Sequence, residues 1–210
     1  MARIEDGAAT VYAGADTTLK ALHTTPYPQE TTAWQSIAAT SGAVANSGSG
    51  VPVFSFRNLG PSPILIRRFA LSSTCTVFAG STTADYALFM ARSFIVSDSG
   101  GTAVSLVGSN TKFRSSLATP AAVDCRISNT AELTPGTRTI DANSLSQCGA
   151  FVTALGVVSP TTNLIRHDPS DYPIIIDQNE GVVLQSMSGF ASSIVVKIYV
   201  TMEFALVSSF

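Results

Sequence analysis

The final segment of the chain, residues 194–206, constrains the fold more than any other stretch. Lys197, Thr201 and Glu203 lie between apolar residues and leave every second position apolar. Because successive side chains of a β-strand point to opposite faces, this pattern predicts a long strand with one buried face. The apolar positions are Ile194, Val196, Ile198, Val200, Met202, Phe204 and Leu206.

From Val51 onward, short runs of β-branched and aromatic residues alternate with Gly, Pro, Ser and Asn. This pattern is typical of an all-β protein, and we expect about eight to ten strands. No amphipathic helical period separates them, which disfavours an α/β fold. The sequence therefore predicts a jelly-roll-like antiparallel β-sandwich over residues 51–210. The expected strands are 53–57, 63–71, 74–78, 86–96, 102–107, 151–158, 173–177, 182–185 and 194–206. Residues 123–127 and 137–140 are candidates for additional short strands.

Two pairs of these strands are separated by short turns and are expected to form hairpins. Residues 53–57 and 63–71 flank a turn that contains Asn58, Gly60 and Pro61. The second predicted hairpin joins residues 173–177 to residues 182–185.

Residues 1–50 differ from the rest, because they are rich in Gly, Ala, Ser and Thr and show no sustained period. A segment this polar buries too little apolar surface to order itself. We expect an extended N-terminal arm over residues 1–50 that a neighbouring subunit holds in place. Its aromatic residues Tyr12, Tyr27 and Trp34 are candidate anchors in pockets of that neighbour.

Arg67 and Arg68 interrupt an apolar run of the predicted sandwich. Strand alternation would send one guanidinium to each face of the sheet. One arginine would then be partly buried at a subunit contact and paired with a carboxylate. The alternative is that both are solvated on an edge strand.

The charge of the chain disfavours several classes of partner. Charged residues make up 12% of the 210 residues and the net charge is −2, so there is no basic footprint for nucleic acid. No stretch reaches the roughly 18 to 20 apolar residues of a membrane span. The N-terminus carries Glu5 and Asp6 and lacks the apolar region of a secretory signal, which predicts assembly in a cytoplasm.

The residues that usually carry catalysis are few and scattered. The two histidines, His23 and His167, lie far apart in sequence, whereas a triad or a metal site of the cupin type needs imidazoles together. We expect no enzyme activity, no cofactor and no metal site. The closest carboxylate pairs, which we expect in turns, are Asp168 with Asp171 and Asp177 with Glu180.

Cys75, Cys125 and Cys148 are odd in number and widely spaced. This spacing fits neither a disulfide framework nor a metal-binding pair. We expect them to be small buried apolar residues.

Three stretches carry a family resemblance: FRNLGPSPILIRR at residues 56–68, TPGTRTI at 134–140 and PIIIDQNEGVVL at 173–184. They resemble structural proteins of tailed-bacteriophage virions, of the jelly-roll decoration, cement or head-fibre-base type. The resemblance covers residues 51–206. It implies a virion protein without enzyme activity, which assembles as a trimer or another symmetric multimer and contacts capsid protein.

The leading hypothesis is a protein that decorates or cements a capsid through its arm and a multimeric sandwich. Low charge is consistent with this hypothesis, since interface cores are depleted in Lys and Glu. Two alternatives remain open, a glycan- or receptor-binding virion module and the shell-forming coat protein itself. A head fibre or a host-surface glycan is a further candidate partner.

Overall fold

The computed structural model of the chain describes residues 3–6, 9–12, 34–45, 48–80, 82–106, 112–113, 122–152, 156, 161–167, 173–189 and 194–206. These residues form strands, turns and bends and contain no helix, which confirms the all-β prediction. In chain order the strands are β1 (Arg3–Asp6), β2 (Ala9–Tyr12), β3 (Gln35–Thr40), β4 (Val44–Ala45), β5 (Val51–Asn58), β6 (Ile64–Val77), β7 (Thr82–Arg92), β8 (Thr102–Ala103), β9 (Val123–Ile127), β10 (Thr139–Ile140), β11 (Ser146–Val152), β12 (Thr162–Arg166), β13 (Ile174–Ile176), β14 (Gly181–Ser186) and β15 (Val195–Leu206).

The strands form two main antiparallel sheets and a separate pair, β1 with β2. The seven-stranded sheet has the order β10-β7-β14-β5-β9-β8, with β11 also paired to β7. The six-stranded sheet has the order β12-β6-β15-β3, with β13 also paired to β6 and β4 to β15.

The pairing of the principal strands is nested. β3 pairs with β15, β5 with β14, β6 with β12 and β7 with β11. The first of these eight strands therefore pairs with the last, the second with the seventh, the third with the sixth and the fourth with the fifth. This is the arrangement of a jelly roll, in which one long antiparallel hairpin rolls up into two facing sheets. The fold class predicted from the sequence is confirmed.

The hydrophobic core fills the space between the two sheets. Phe54 of β5 meets Phe69 of β6 edge to face, with ring centroids 5.5 Å apart. Phe56 of β5 meets Phe204 of β15, also at 5.5 Å. Aromatic pairs at this separation add to the free energy gained from burying the rings. In β15 the residues predicted to face inward are buried, except Leu206, which is partly buried against the core.

Both predicted hairpins are wrong. β5 lies in the seven-stranded sheet and β6 in the six-stranded sheet, and β13 and β14 are divided in the same way. The two turns instead lie side by side, because the Asn58 N–H donates to Glu180 O at 2.9 Å and the Asn179 N–H donates to Asn58 O at 2.8 Å. In a jelly roll, a short turn often carries the chain from one sheet to the other.

The predicted boundary between arm and sandwich is also wrong for residues 34–45. β3 pairs with β15 over residues 35–40, and Ile37 and Val44 are fully buried. These residues pack into their own chain and need no neighbouring subunit for order. Of the remaining arm, the structure describes residues 48–50 and the backbone of β1 and β2, and residues 1–2, 7–8, 13–33 and 46–47 lie outside the described residues.

Several strand limits differ from those predicted. Residues 64–77 form one strand, whereas two were predicted at 63–71 and 74–78. β7 ends at Arg92 instead of residue 96, and the next residue, Ser93, has a φ of 47°. β11 begins five residues before the strand predicted at 151–158 and overlaps it only at residues 151–152, and β12 was not predicted. The prediction for residues 123–127 is confirmed.

The placement of β3 in the core yields a stability prediction. Replacing Ile37 by Ala should lower the free energy of unfolding by about 2–5 kcal/mol, because it leaves a cavity between β3 and the facing sheet. The matched control Thr40→Ala, at an exposed position of the same strand, should stay within about 0.5 kcal/mol. Urea denaturation measures both. A small effect for Ile37→Ala would show that β3 is not part of the folded unit.

Candidate functional site

Arg67 and Arg68 lie on the same face of the six-stranded sheet. Glu203 pairs with Arg68, whereas Phe204 pairs with Ile66, so Arg67 is the extra residue of a β-bulge. The prediction of one guanidinium on each face is wrong for this reason. The alternative of an edge strand is wrong too, because β6 lies between β12 and β15.

Glu203 holds both arginines on this outer face. Arg67 Nε lies 2.8 Å from Glu203 Oε2, and Arg68 Nη1 lies 3.3 Å from Glu203 Oε1. The Glu203 side chain is 15% exposed, while those of Arg67 and Arg68 are 25% and 39% exposed. Partial burial strengthens these charge-assisted contacts relative to a fully solvated pair.

Trp34 is buried against the same outer face. The residue is 2% exposed and packs with Leu65 and Ala205, which pair across β6 and β15. The prediction that Trp34 anchors in a pocket of a neighbour is therefore wrong, because the ring occupies a pocket of its own chain. Its place at the start of β3 fixes where the N-terminal segment joins the sandwich.

The Arg67 guanidinium also contacts two aromatic rings. Its Cζ lies 4.5 Å from the centroid of the Trp34 ring and 5.8 Å from that of Phe113. Cation–π contacts of this kind favour the planar guanidinium of arginine over the ammonium of lysine. Phe113 is 49% exposed and was not predicted, because it lies in a stretch without strand periodicity.

A third arginine extends this surface. Arg166 of β12 is exposed and lies directly opposite Arg68 in the antiparallel ladder, so the two side chains share a face. Arg68 is further held by a hydrogen bond from its Nε to Asn163 Oδ1 at 3.1 Å. We call Arg67, Arg68 and Arg166 the arginine strip.

Acidic residues gather at one end of the sandwich, where β7 ends and β13 passes over to β14. Arg92 Nη1 lies 2.8 Å from Glu180 Oε1, and Arg92 Nε lies 3.5 Å from Asp141 Oδ2. The hydrogen bond to Glu180 is the main cause that raises the pKa of Arg92. The Asp177 N–H donates to Glu180 Oε2 at 3.2 Å, which places Asp177 beside this pair. We call Asp141, Asp177 and Glu180 the acidic rim.

A buried polar cluster lies on the outer side of the seven-stranded sheet. The Phe94 ring is fully buried between the guanidinium groups of Arg57, at 5.6 Å, and Arg138, at 5.1 Å. Asp98 forms an ion pair with Arg138, and their side chains are 0% and 4% exposed. Asp98 Oδ1 also accepts from the Gly136 N–H at 2.8 Å. Burial lowers the pKa of Arg138 to about 10, so this guanidinium stays charged at neutral pH.

Arg57 ties this cluster to the neighbouring loops. Its Nη1 donates to Ser97 Oγ, and its Nη2 donates to Ile95 O and Asn179 Oδ1, at distances of 2.9 to 3.0 Å. Burial lowers the pKa of Arg57, and Asp124 partly offsets this effect. The cluster was missed from the sequence, although an arginine inside the apolar run of β5 was a signal that could have found it.

The other residues singled out from the sequence do not join these surfaces in one site. Tyr27, His23, Asp168 and Asp171 lie outside the described residues, and for Tyr12 the structure describes the backbone pairing with Arg3. His167 donates its backbone N–H to Arg67 O at 2.8 Å. Within the described ranges, no three His, Cys, Asp or Glu side chains are placed to hold a metal ion. The same part of the chain contains no helix with the length and hydropathy of a membrane span.

The three cysteines carry free thiols, as expected. Cys75 and Cys125 are buried at 2% and 3% exposure, which confirms their assignment as small core residues. Cys148 is only partly buried and packs at the edge of the core. Burial raises the pKa of the Cys125 and Cys148 thiols and so keeps both protonated at neutral pH.

Comparison with known proteins finds no matching family model, no matching curated protein and no matching solved structure.

The shared carboxylate of Glu203 yields a prediction on stability. Replacing Glu203 by Gln should lower the free energy of unfolding by about 1 kcal/mol, because the arginines then repel one another without a counter-charge. The loss should shrink as salt rises from ~0.05 to ~0.5 M. Urea denaturation followed by the fluorescence of Trp34, the single tryptophan, measures it. Lys197→Gln, on the same face of β15, is the control, and an equal loss there would contradict a specific role for Glu203.

The buried pair of Asp98 and Arg138 yields a second prediction. Asp98→Asn keeps an acceptor for the Gly136 N–H but leaves the Arg138 charge buried and uncompensated. We expect a loss of about 3–5 kcal/mol in the free energy of unfolding. The matched control Asp124→Asn breaks the more exposed pair with Arg126, at 3.4 Å, and should cost about 0.2–1 kcal/mol. Equal losses in the two variants, measured by thermal and urea unfolding, would contradict the proposed importance of burial.

Proposed function

We propose that this chain is a virion structural protein that decorates or cements a bacteriophage capsid as a symmetric multimer. The observation that carries the proposal is a jelly roll with a filled interior whose outer face bears an unbalanced group of arginines. Jelly rolls recur in viral capsid and lectin domains. Because fold alone does not define function, the surfaces must supply the argument.

Because side chains fill the interior, the outer faces and loops are the parts of the sandwich that make functional contacts. Large side chains such as Phe54, Phe56 and Phe69 fill the space between the sheets. The resulting body is rigid and well suited to hold a fixed surface toward a partner.

The arginine strip supports a role in protein contacts. Arginine is enriched at interfaces, where its planar group pairs with carboxylates of the partner. Arg68 and Arg166 lie opposite each other, which is unfavourable in the free chain and becomes favourable against an acidic surface. The capsid as partner follows from the resemblance of residues 56–68, 134–140 and 173–184 to phage virion proteins.

A glycan-binding role is the second candidate, favoured by one observation. Phe113 presents a half-exposed ring next to Arg67. An aromatic face beside a hydrogen-bond donor can stack on a sugar and orient it.

Particle composition tests the proposal. Particles made from the genome that encodes this chain should contain it at a fixed copy number, measured by mass spectrometry after density-gradient purification. Removal of the gene should leave intact shells that open at a lower temperature if the protein is a cement. If no shells form, it is the coat protein itself.

The purified protein provides the complementary measurement. Light scattering after size exclusion should give the mass of a multimer. A monomer that is absent from particles would overturn the proposal. Specific binding on a glycan array that is lost in Phe113→Ala would favour the second candidate.

A further inference from the structure

We propose that copies of this chain join head to tail, with the arginine strip of one copy docked on the acidic rim of the next. The inference rests on the proposed function, which calls for a multimer, and adds the two surfaces that form it. The occupant of the arginine strip is thus a second copy of the chain.

The two surfaces carry matching opposite charges. On the strip, Glu203 pairs with Arg67 and Arg68, and Arg166 lies opposite Arg68, so these four described residues have a net charge of +2. At the rim, the Arg92 guanidinium pairs with Asp141 and Glu180, and Asp177 lies beside them, so these four described residues have a net charge of −2. Contact between them would neutralise both.

Among the residues that the structure describes, the arginine strip lacks a full set of counter-charges. Like charges directly opposite on neighbouring strands destabilise a sheet, and Arg68 faces Arg166 in this way. Glu203 contacts Arg67 and Arg68 but forms no ion pair with Arg166 in the part of the chain that the structure describes. An incoming carboxylate between Arg68 and Arg166 would relieve their repulsion through charge-assisted hydrogen bonds.

The rim presents a carboxylate for this purpose. Asp177 is exposed, and its backbone N–H, not its carboxylate, contacts Glu180. The Asp141 side chain is 40% exposed, whereas the Glu180 side chain is 21% exposed and more fully engaged by Arg92. Asp177 and Asp141 are therefore the groups that reach a partner.

Exposed aliphatic side chains accompany both surfaces. Ile175, 41% exposed, pairs with Leu65 and so lies on the same outer face as the strip. Leu59, 37% exposed, adjoins the rim, because the Gln178 side chain donates to Leu59 O at 3.1 Å. Burial of these side chains would add apolar area to a contact oriented by charge.

The described residues of the strip and the rim lie apart within one chain. The register Ile176↔Ile64 places Asp177 beside residue 63, four residues along β6 from Arg67, which is about 13 Å of strand. Such a distance exceeds the Debye length of about 8 Å at physiological salt. Since the two surfaces differ, the contact between copies is heterologous. If the rotation from each copy to the next brings the last copy back to the first, the contact forms a closed ring such as a trimer.

Charge reversal on the full chain tests this contact. Arg166→Glu should weaken self-association about tenfold or more, measured by sedimentation equilibrium at ~0.05 M salt. Asp177→Lys should weaken it similarly, and the double variant Arg166→Glu with Asp177→Lys should restore it. The matched control Lys197→Glu reverses a charge on the same sheet face, away from the strip, and should leave association unchanged.

Loss of folding does not explain the expected result, because Arg166→Glu places an acid opposite Arg68 and should keep or raise the midpoint of urea unfolding. A multimer that neither single variant weakens, or that the double variant fails to restore, would overturn the inference but leave the proposed function standing. Tighter association of Arg166→Glu would show strip-to-strip contact and also overturn it. A wild-type monomer overturns it too, and absence from particles then separately counts against the virion role.

Discussion

The rest of the structure depends on the burial of one face of β15 between the two sheets. β15 pairs with β6 on one side and with β3 on the other, and its inward residue Phe204 meets Phe56 of β5. Because β15 is last in the chain and β3 is first in the sandwich, their pairing closes the nested hairpin. Long-range pairing of this kind makes closure slow and cooperative, since most loop entropy is lost before the core is complete.

A single bulge in this ladder decides the chemistry of the outer surface. Ile66 and Phe69 both face the core although they are three residues apart, which a regular strand of period two does not allow. The extra residue at Arg67 restores the alternation and turns both arginines outward. Without the bulge, one guanidinium would enter the core, where an unpaired charge is far too costly. Core packing therefore concentrates positive charge on the outer face.

The sequence predicts the strands better than it predicts their partners. The alternation of β15 is local and was visible, but the pairing of β5 with β14 joins residues more than a hundred positions apart and leaves no local signal. β3 was not predicted from the sequence, because Ile37 is its only large aliphatic residue and its other residues are small or polar. The spacing of Ile66 and Phe69 did encode the bulge. The contacts of Arg67 with Trp34 and Phe113 could not be predicted from the sequence, because they depend on where β3 lies beside β15.

Because the overall charge of the chain is low, the arginine strip and the acidic rim have a large influence on how two copies orient toward each other. A net charge of −2 spread over 210 residues produces little repulsion between distant copies, so local fields set the orientation of an encounter. A strip that met another strip would place arginines against arginines, which is unfavourable, whereas strip against rim is attractive. Few other charges need to be desolvated when such a contact forms. The same composition that lacks a footprint for nucleic acid thus favours directed contact between identical copies.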